Sequence, residues 1–262
     1  MGTYDFNDRV AVVTGAASGI GWATAGQLAE GGARIVAVDR NGERLEELVR
    51  SLPVTSGTHI ALPRDIRSGE AARGLIPEIL KKTEVLDILV NSAGVCHFNR
   101  METISIEEWD EVMEIDVRSL YFISAGAAEA MDPARGGRII NLGSNAGRKG
   151  RALSAHYAAA KAAVANITES LALAYGSKNI TANTVCPGPT DTPMWDGNFR
   201  ELQSITGKQP AEFLEAWSKQ TPLGRIGRVE DVANLISFLA SDRAAFITGQ
   251  EINVCGGFML TS

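Results

Sequence analysis

VAVVTGAASGIG, residues 10–21, reads as a buried apolar strand that runs into a glycine-rich turn. The helical pattern WATAGQLAEGG follows it directly. Strand, glycine turn and helix in that order let backbone approach a phosphate group and set it on the helix N-terminus. Three residues separate Gly15 from Gly19, so the spacing differs from GxGxxG and is not that fingerprint. The alternative, a tight turn with no ligand, is weighed against what the rest of the chain places around it.

Strand and helix patterns alternate from there to the C-terminus. Apolar runs at 34–39, 59–66, 86–91, 138–143, 180–188 and 251–254 read as further strands. Helical patterns fall at about 69–82, 106–131, 155–175 and 229–240. No linker, repeat or low-complexity tract interrupts them. The expectation is an α/β fold, one doubly wound Rossmann-type domain over residues 1–262 with about seven parallel strands and helices on both faces. Residues 191–224 hold short helical pieces and no strand, and they read as a substrate loop or lid. Ligands bind such sheets at the carboxyl ends of the strands. Gly15, Asp39, Asp65, Asn91, Ser144 and Pro187 all fall there.

The second informative stretch is SNAGRKGRALSAHYAAAK, residues 144–161. Tyr157 and Lys161 are one helical turn apart and leave the same helix face. A phenol with a pKa of about 10 is a poor base at neutral pH, and an ammonium one turn away favours its anion. Ser144, at the end of a strand, adds a hydroxyl able to hold a substrate oxygen. The spacing YxxxK alone is common by chance, and its weight comes from its setting.

Asp39, at the end of the second strand, stands where a carboxylate accepts hydrogen bonds from an adenosine ribose and repels a 2′-phosphate. Arg40 follows and is able to hold such a phosphate, but Ser18 in the glycine loop gives it no second partner. NAD is therefore the expected cofactor.

Composition narrows the classes further. The net charge of −6 favours neither nucleic acid nor an anionic membrane as partner, and the expected partner is a small-molecule substrate. Cys96, Cys186 and Cys255 have neither metal-ligand nor disulfide-framework spacing. His59 and His156 belong to no metal cluster, so no metal is expected. The polar start MGTYDFNDR and the lack of a long apolar run suggest a cytoplasmic protein.

With TGAASGIG at 14–21, Asp39, Asp65, NSAG at 91–94, Ser144, Tyr157xxxLys161 and PGPTDT at 187–192, the chain resembles the short-chain dehydrogenase/reductase family. The resemblance implies a nicotinamide cofactor and hydride transfer to or from a carbonyl or alcohol carbon. It implies that Tyr157 exchanges the proton, that Ser144 positions the substrate oxygen, and that Lys161 binds the nicotinamide ribose as well as tuning Tyr157. It further assigns the cofactor to Gly15, Ser18, Gly19, Ile20 and Gly21, to Asp39, Arg40, Asp65 and Ile66, to Asn91, Ala93 and Gly94, and to Pro187, Gly188, Thr190 and Thr192. Many members are tetramers that pair their long helices, so a homotetramer is expected.

Two positions depart from the family pattern. Ser92 replaces the second asparagine of NNAG. Asp116 replaces the asparagine of the catalytic tetrad, and a buried carboxylate there is placed to pair with Lys161 and compete with Tyr157 for its influence.

Within the family, IINLGSNAGRKGRAL and the TPMWDG region are similar to enzymes of sugar alcohols and to acetoin and butanediol dehydrogenases. The expected reaction interconverts a secondary alcohol and a ketone, or a hemiacetal and a lactone, on a sugar, polyol or small diol. Asn145, His97, Asn99 and Trp195 are candidate substrate residues. Arg148, Lys149 and Arg151 form a basic cluster beside the expected substrate mouth, able to attract an acidic group, with Arg151 foremost. A solvated loop is the competing reading. Two other functions stay open: reduction of 3-oxoacyl thioesters with NADPH, and a catalytically silent NAD-binding sensor.

Overall fold

The structure, a computed structural model, describes residues 4–54 and 57–260, so the extreme ends of the expected domain lie outside the described residues. Seven strands form one parallel sheet: β1 (Val10–Thr14), β2 (Arg34–Asp39), β3 (Ile60–Pro63), β4 (Ile88–Asn91), β5 (Gly137–Leu142), β6 (Ile180–Pro187) and β7 (Glu251–Val254). Their order is β3-β2-β1-β4-β5-β6-β7. The chain winds outward from β1 in both directions, which leaves a crevice at the carboxyl ends of β1 and β4.

Successive strand residues point to opposite faces, and both faces are buried. Ala11, Val13, Ile35 and Ala37 pack beneath α1 (Gly19–Glu30), α2 (Gly42–Ser51) and α9 (Val229–Ala240). Val10, Val12, Val36 and Val38 face α3 (Gly69–Thr83), α5 (Leu120–Ala130) and α6 (Ala155–Tyr175). The strands therefore read as unbroken apolar runs. No helix among the described residues is long and apolar enough to cross a membrane.

Two of the boundaries differ from the sequence reading for a physical reason. β3 stops at Pro63 instead of Ile66, because its partner β2 ends at Asp39, opposite Pro63. The helix expected over 106–131 is split into α4 (Ile106–Met113), a wide π turn (Glu114–Ser119) and α5. In the wide turn the Ser119 hydroxyl donates to the carbonyls of Ile66 at 2.5 Å and Glu114 at 2.8 Å. Such π turns often accompany functional sites, and this one carries Asp116.

The excursion at 191–224 forms α7 (Met194–Thr206) and α8 (Pro210–Gln220). Its two ends are tied together, since the Asp191 amide donates to the Gly227 carbonyl at 2.9 Å and the Gly227 amide to that of Pro189 at 2.8 Å.

Candidate active site

The crevice opens into a cavity of about 510 Å³. At one end its wall is the turn after β1. Gly15 has φ of +67°, and a Cβ there would lie 2.7 Å from the backbone of Ala93. That combination admits only glycine. α1 starts at Gly19, and its N-cap Ser18 makes no side-chain cap bond, so the first amides of the helix are left for a ligand.

Asp39 closes this end. Its Oδ2 accepts from the Ala17 amide at 3.3 Å and its Oδ1 from the Asn41 amide at 3.0 Å, which fixes the carboxylate at the end of β2. Three arginines share the neighbourhood. Arg67 pairs with Asp65 at 2.6 Å, which holds that carboxyl below its ordinary range, and Arg64 pairs with Glu78. Arg40 is exposed and lines the cavity beside Asp39. A glycine cradle, a helix start without a cap and a fixed carboxylate fit a dinucleotide with its diphosphate on α1 and its adenosine ribose on Asp39.

At the other end, β5 delivers Ser144 and the first turn of α6 delivers Tyr157. The Ser144 hydroxyl accepts from the Ala146 amide at 3.1 Å and lines the cavity with the Tyr157 phenol. Lys161 lies one turn further along α6, buried, with Nζ 5.5 Å from the centre of the Tyr157 ring. That Nζ donates to the Leu142 carbonyl at 2.9 Å and lies 3.0 Å from Oδ2 of Asp116. Asp116 has no exposed surface, and its Oδ1 accepts from the Val95 amide at 2.8 Å.

Burial pushes the Asp116 carboxyl above its ordinary range, and the Lys161 charge opposes the rise. Burial also pushes the Tyr157 phenol well above its usual value. The charge of Asp116 adds to that, while Ser144 acts the other way. Burial is the largest cause of that rise, and the Lys161 ammonium, placed by the sequence to favour the phenolate, lies against the Asp116 carboxylate.

Most of the residues singled out in the sequence share this cavity. Gly15, Ser18, Gly19, Ile20, Asp39, Arg40, Asp65, Ile66, Ala93, Gly94, Pro187, Gly188, Thr190 and Thr192 line it together with Asp116, Ser144, Tyr157 and Lys161. Three do not. Gly21 packs against the loop itself, where a Cβ would fall 2.2 Å from the Gly15 carbonyl. The Asn91 amide is buried and donates to Ser124 at 2.8 Å and Asn141 at 2.9 Å, joining β4 to α5 and β5. His97 stands outside the lining, held at 3.1 Å by both Glu111 and Glu201.

Among the substrate candidates, Asn145, Arg151 and Trp195 line the cavity. Asn99 is turned into its own loop, donating to the Thr103 carbonyl and to Glu108. The basic cluster divides, because Arg148 reaches away to Glu251 at 3.1 Å and Lys149 is exposed, and neither lines the cavity. Phe98, Trp217 and Phe258 are lining residues that the sequence reading missed. Trp217 had a signal, since Phe213 and Trp217 are four apart and share one face of α8. His156 is fully buried and stacks on His97 at 6.5 Å, with neither ring nitrogen hydrogen-bonded.

A family model described as enoyl-(acyl carrier protein) reductase matches residues 15–259. A 3-oxoacyl-[acyl-carrier-protein] reductase of Pseudomonas aeruginosa is 37% identical over 253 residues, which is 97% of this chain and 98% of that one. A cis-4-hydroxycyclohexanecarboxylate dehydrogenase of Sinomonas cyclohexanicum is 37% identical over 254 residues, 97% of each chain. A 3β-hydroxysteroid dehydrogenase of Mediterraneibacter gnavus is 33% identical over 97% of this chain and 95% of its own. Among solved structures, a short-chain type dehydrogenase/reductase from Mycobacterium marinum superposes with a TM-score of 0.86 at 26% identity, over 98% of both chains.

Proposed function

The chain belongs to the short-chain dehydrogenase/reductase family, and on that premise we propose that it is an NAD-preferring oxidoreductase that interconverts a secondary alcohol and a ketone. Members of the family are nicotinamide-dependent oxidoreductases of CH–OH groups. The observation that carries the finer reading is Asp39, fixed at the ribose end by two backbone amides. A carboxylate held there accepts ribose hydroxyls and repels a 2′-phosphate.

When bound, the nicotinamide supplies or accepts the hydride. The protein's own residues handle the oxygen and its proton. Ser144 Oγ and Tyr157 Oη line the same cavity and together hold one substrate oxygen. Tyr157 Oη takes the hydroxyl proton during oxidation and returns it during reduction. Lys161 stabilises the phenolate formed in that step, and Asp116 sets how much of its charge reaches the phenol. The assembly of all four residues around one cavity supports turnover over a silent sensor.

Reduction of a 3-oxoacyl thioester with NADPH is a second reading. The identity to the Pseudomonas aeruginosa reductase supports it, and Asp39 opposes it. The ratio of kcat/KM with NAD to that with NADP separates the two. NAD is expected to be favoured at least tenfold, and Asp39→Ala to lower that ratio by on the order of tenfold through lost charge repulsion. NADP preferred by the wild type would overturn the cofactor reading.

A further inference from the structure

Part of the cavity wall is aromatic, formed by Phe98, Trp195 and Trp217. Phe98 and Trp217 flank Trp195, with ring centres 6.1 Å and 4.6 Å away. Phe199 backs the group at 5.4 Å from Trp195. The one polar atom of the Trp195 ring is spent, because Nε1 donates to the Thr190 carbonyl at 2.7 Å. Trp195 therefore offers a ligand only ring faces and edges. An open-chain polyol, with a hydroxyl on each carbon, would lose water against those faces. A ring that turns a C–H face to the wall gains dispersion contacts instead.

A single cation of the basic cluster accompanies this wall. Arg151 lines the cavity, half-buried, and its Nη2 donates to Asn145 Oδ1 at 3.2 Å. No carboxylate among the described residues pairs with it, and a guanidinium has five donors. With Oδ1 of Asn145 taken, the amide Nδ2 of that residue is buried and without a partner, and it lies near Gly188. A half-buried cation without an acid, beside an unused amide donor, is unusual in a chain of net charge −6. It matches a planar acceptor brought by a ligand.

We infer that the substrate is a cyclic secondary alcohol bearing a carboxylate, with the ring on the Phe98–Trp195–Trp217 wall and the carboxylate on Arg151. This rests on the oxidoreductase reading above. The shared chemistry is a ring face and an anion, and the ring is either a carbocycle or a sugar acid.

The test is equilibrium binding to the NADH-loaded protein, followed by calorimetry. The probes are cyclohexanecarboxylate, glucuronate, and their neutral counterparts methyl cyclohexanecarboxylate and glucose. At least one acid is expected to bind tenfold or more tighter than its neutral counterpart, and which acid does so identifies the ring. Arg151→Met is expected to abolish that difference, Arg151→Lys to restore part of it, and neither to change NADH affinity. Trp217→Ala is expected to weaken the acid severalfold while the acid-over-neutral ratio persists.

Equal binding of acid and neutral forms, or no binding of either acid, would overturn the inference. A loss of NADH affinity in Arg151→Met equal to the loss of acid affinity would also overturn it, by placing the arginine on the cofactor. Failure of the oxidoreductase reading looks different: acid-selective binding with no nicotinamide reduction on any hydroxy acid or neutral alcohol.

Discussion

Asp116 adds to the rise of the Tyr157 phenol from a position without solvent contact. Its Oδ2 lies 3.0 Å from Lys161 Nζ, so part of the cation's field on Tyr157 is cancelled. The charge of Asp116 also raises the phenol directly. Asp116→Asn removes both effects, and the phenolate then forms more easily. The rising limb of kcat against pH for alcohol oxidation is expected to move to lower pH. Identical profiles would show that this carboxylate does not reach the phenol. At this scale the sequence was a good guide to identity and a poor one to pairing. Ser144, Tyr157 and Lys161 stood out by spacing, and Asp116 stood out only as a departure from the family pattern. Arg148 and Arg151 looked alike in the sequence. The short 3-10 turn at Asn145–Arg148 sends one to Glu251 and leaves the other on the cavity, a matter of tertiary direction that periodicity does not encode.

Among the elements, the glycine turn and the strand ends were legible because their signals are local: an apolar run, then glycine or a small residue. The π turn at Glu114–Ser119 was not, since a continuous helical period is compatible with one widened turn. The aromatic wall was not either, because Phe98 lies after β4, Trp195 on α7 and Trp217 on α8, and only packing brings them together. What anchors α7 to the loop after β4 is charged. Glu201 accepts from the Phe98 amide at 2.7 Å and meets His97 at 3.1 Å, while Glu111 holds the other ring nitrogen at 3.1 Å. Burial lowers the His97 pKa, but the bonds to Glu201 and Glu111 outweigh it and leave the pKa raised above 6.5. A raised folded-state value means that this contribution to stability is complete below the unfolded pKa and is lost as pH rises through the folded one. His97→Gln is therefore expected to lower Tm more at about pH 6 than at about pH 9. An equal loss at both values would assign His97 a packing role alone.

For the molecule as a whole, we propose assembly through the α6 side of the structure. Leu173 on α6 is 88% exposed, Trp109 on α4 42% and Tyr121 on α5 47%. Large apolar side chains exposed on the adjacent helices α4, α5 and α6 support the proposal of a homotetramer built through them. Light scattering is expected to give the mass of four chains, and Leu173→Glu to reduce it; a monomer in the wild type would contradict the proposal. The doubly wound order itself was legible throughout, because the central strands are buried on both faces and every crossover carries a helix. The central claim, that this crevice moves a hydride and a proton between a secondary alcohol and a nicotinamide, is most directly tested by one comparison. Reduction of NAD by a panel of cyclic hydroxy acids, neutral alcohols and polyols is measured for the wild type and for Tyr157→Phe. The account predicts turnover in the wild type and a loss of at least about a hundredfold in kcat for the variant, with NADH still bound. Turnover that survives in Tyr157→Phe would contradict it.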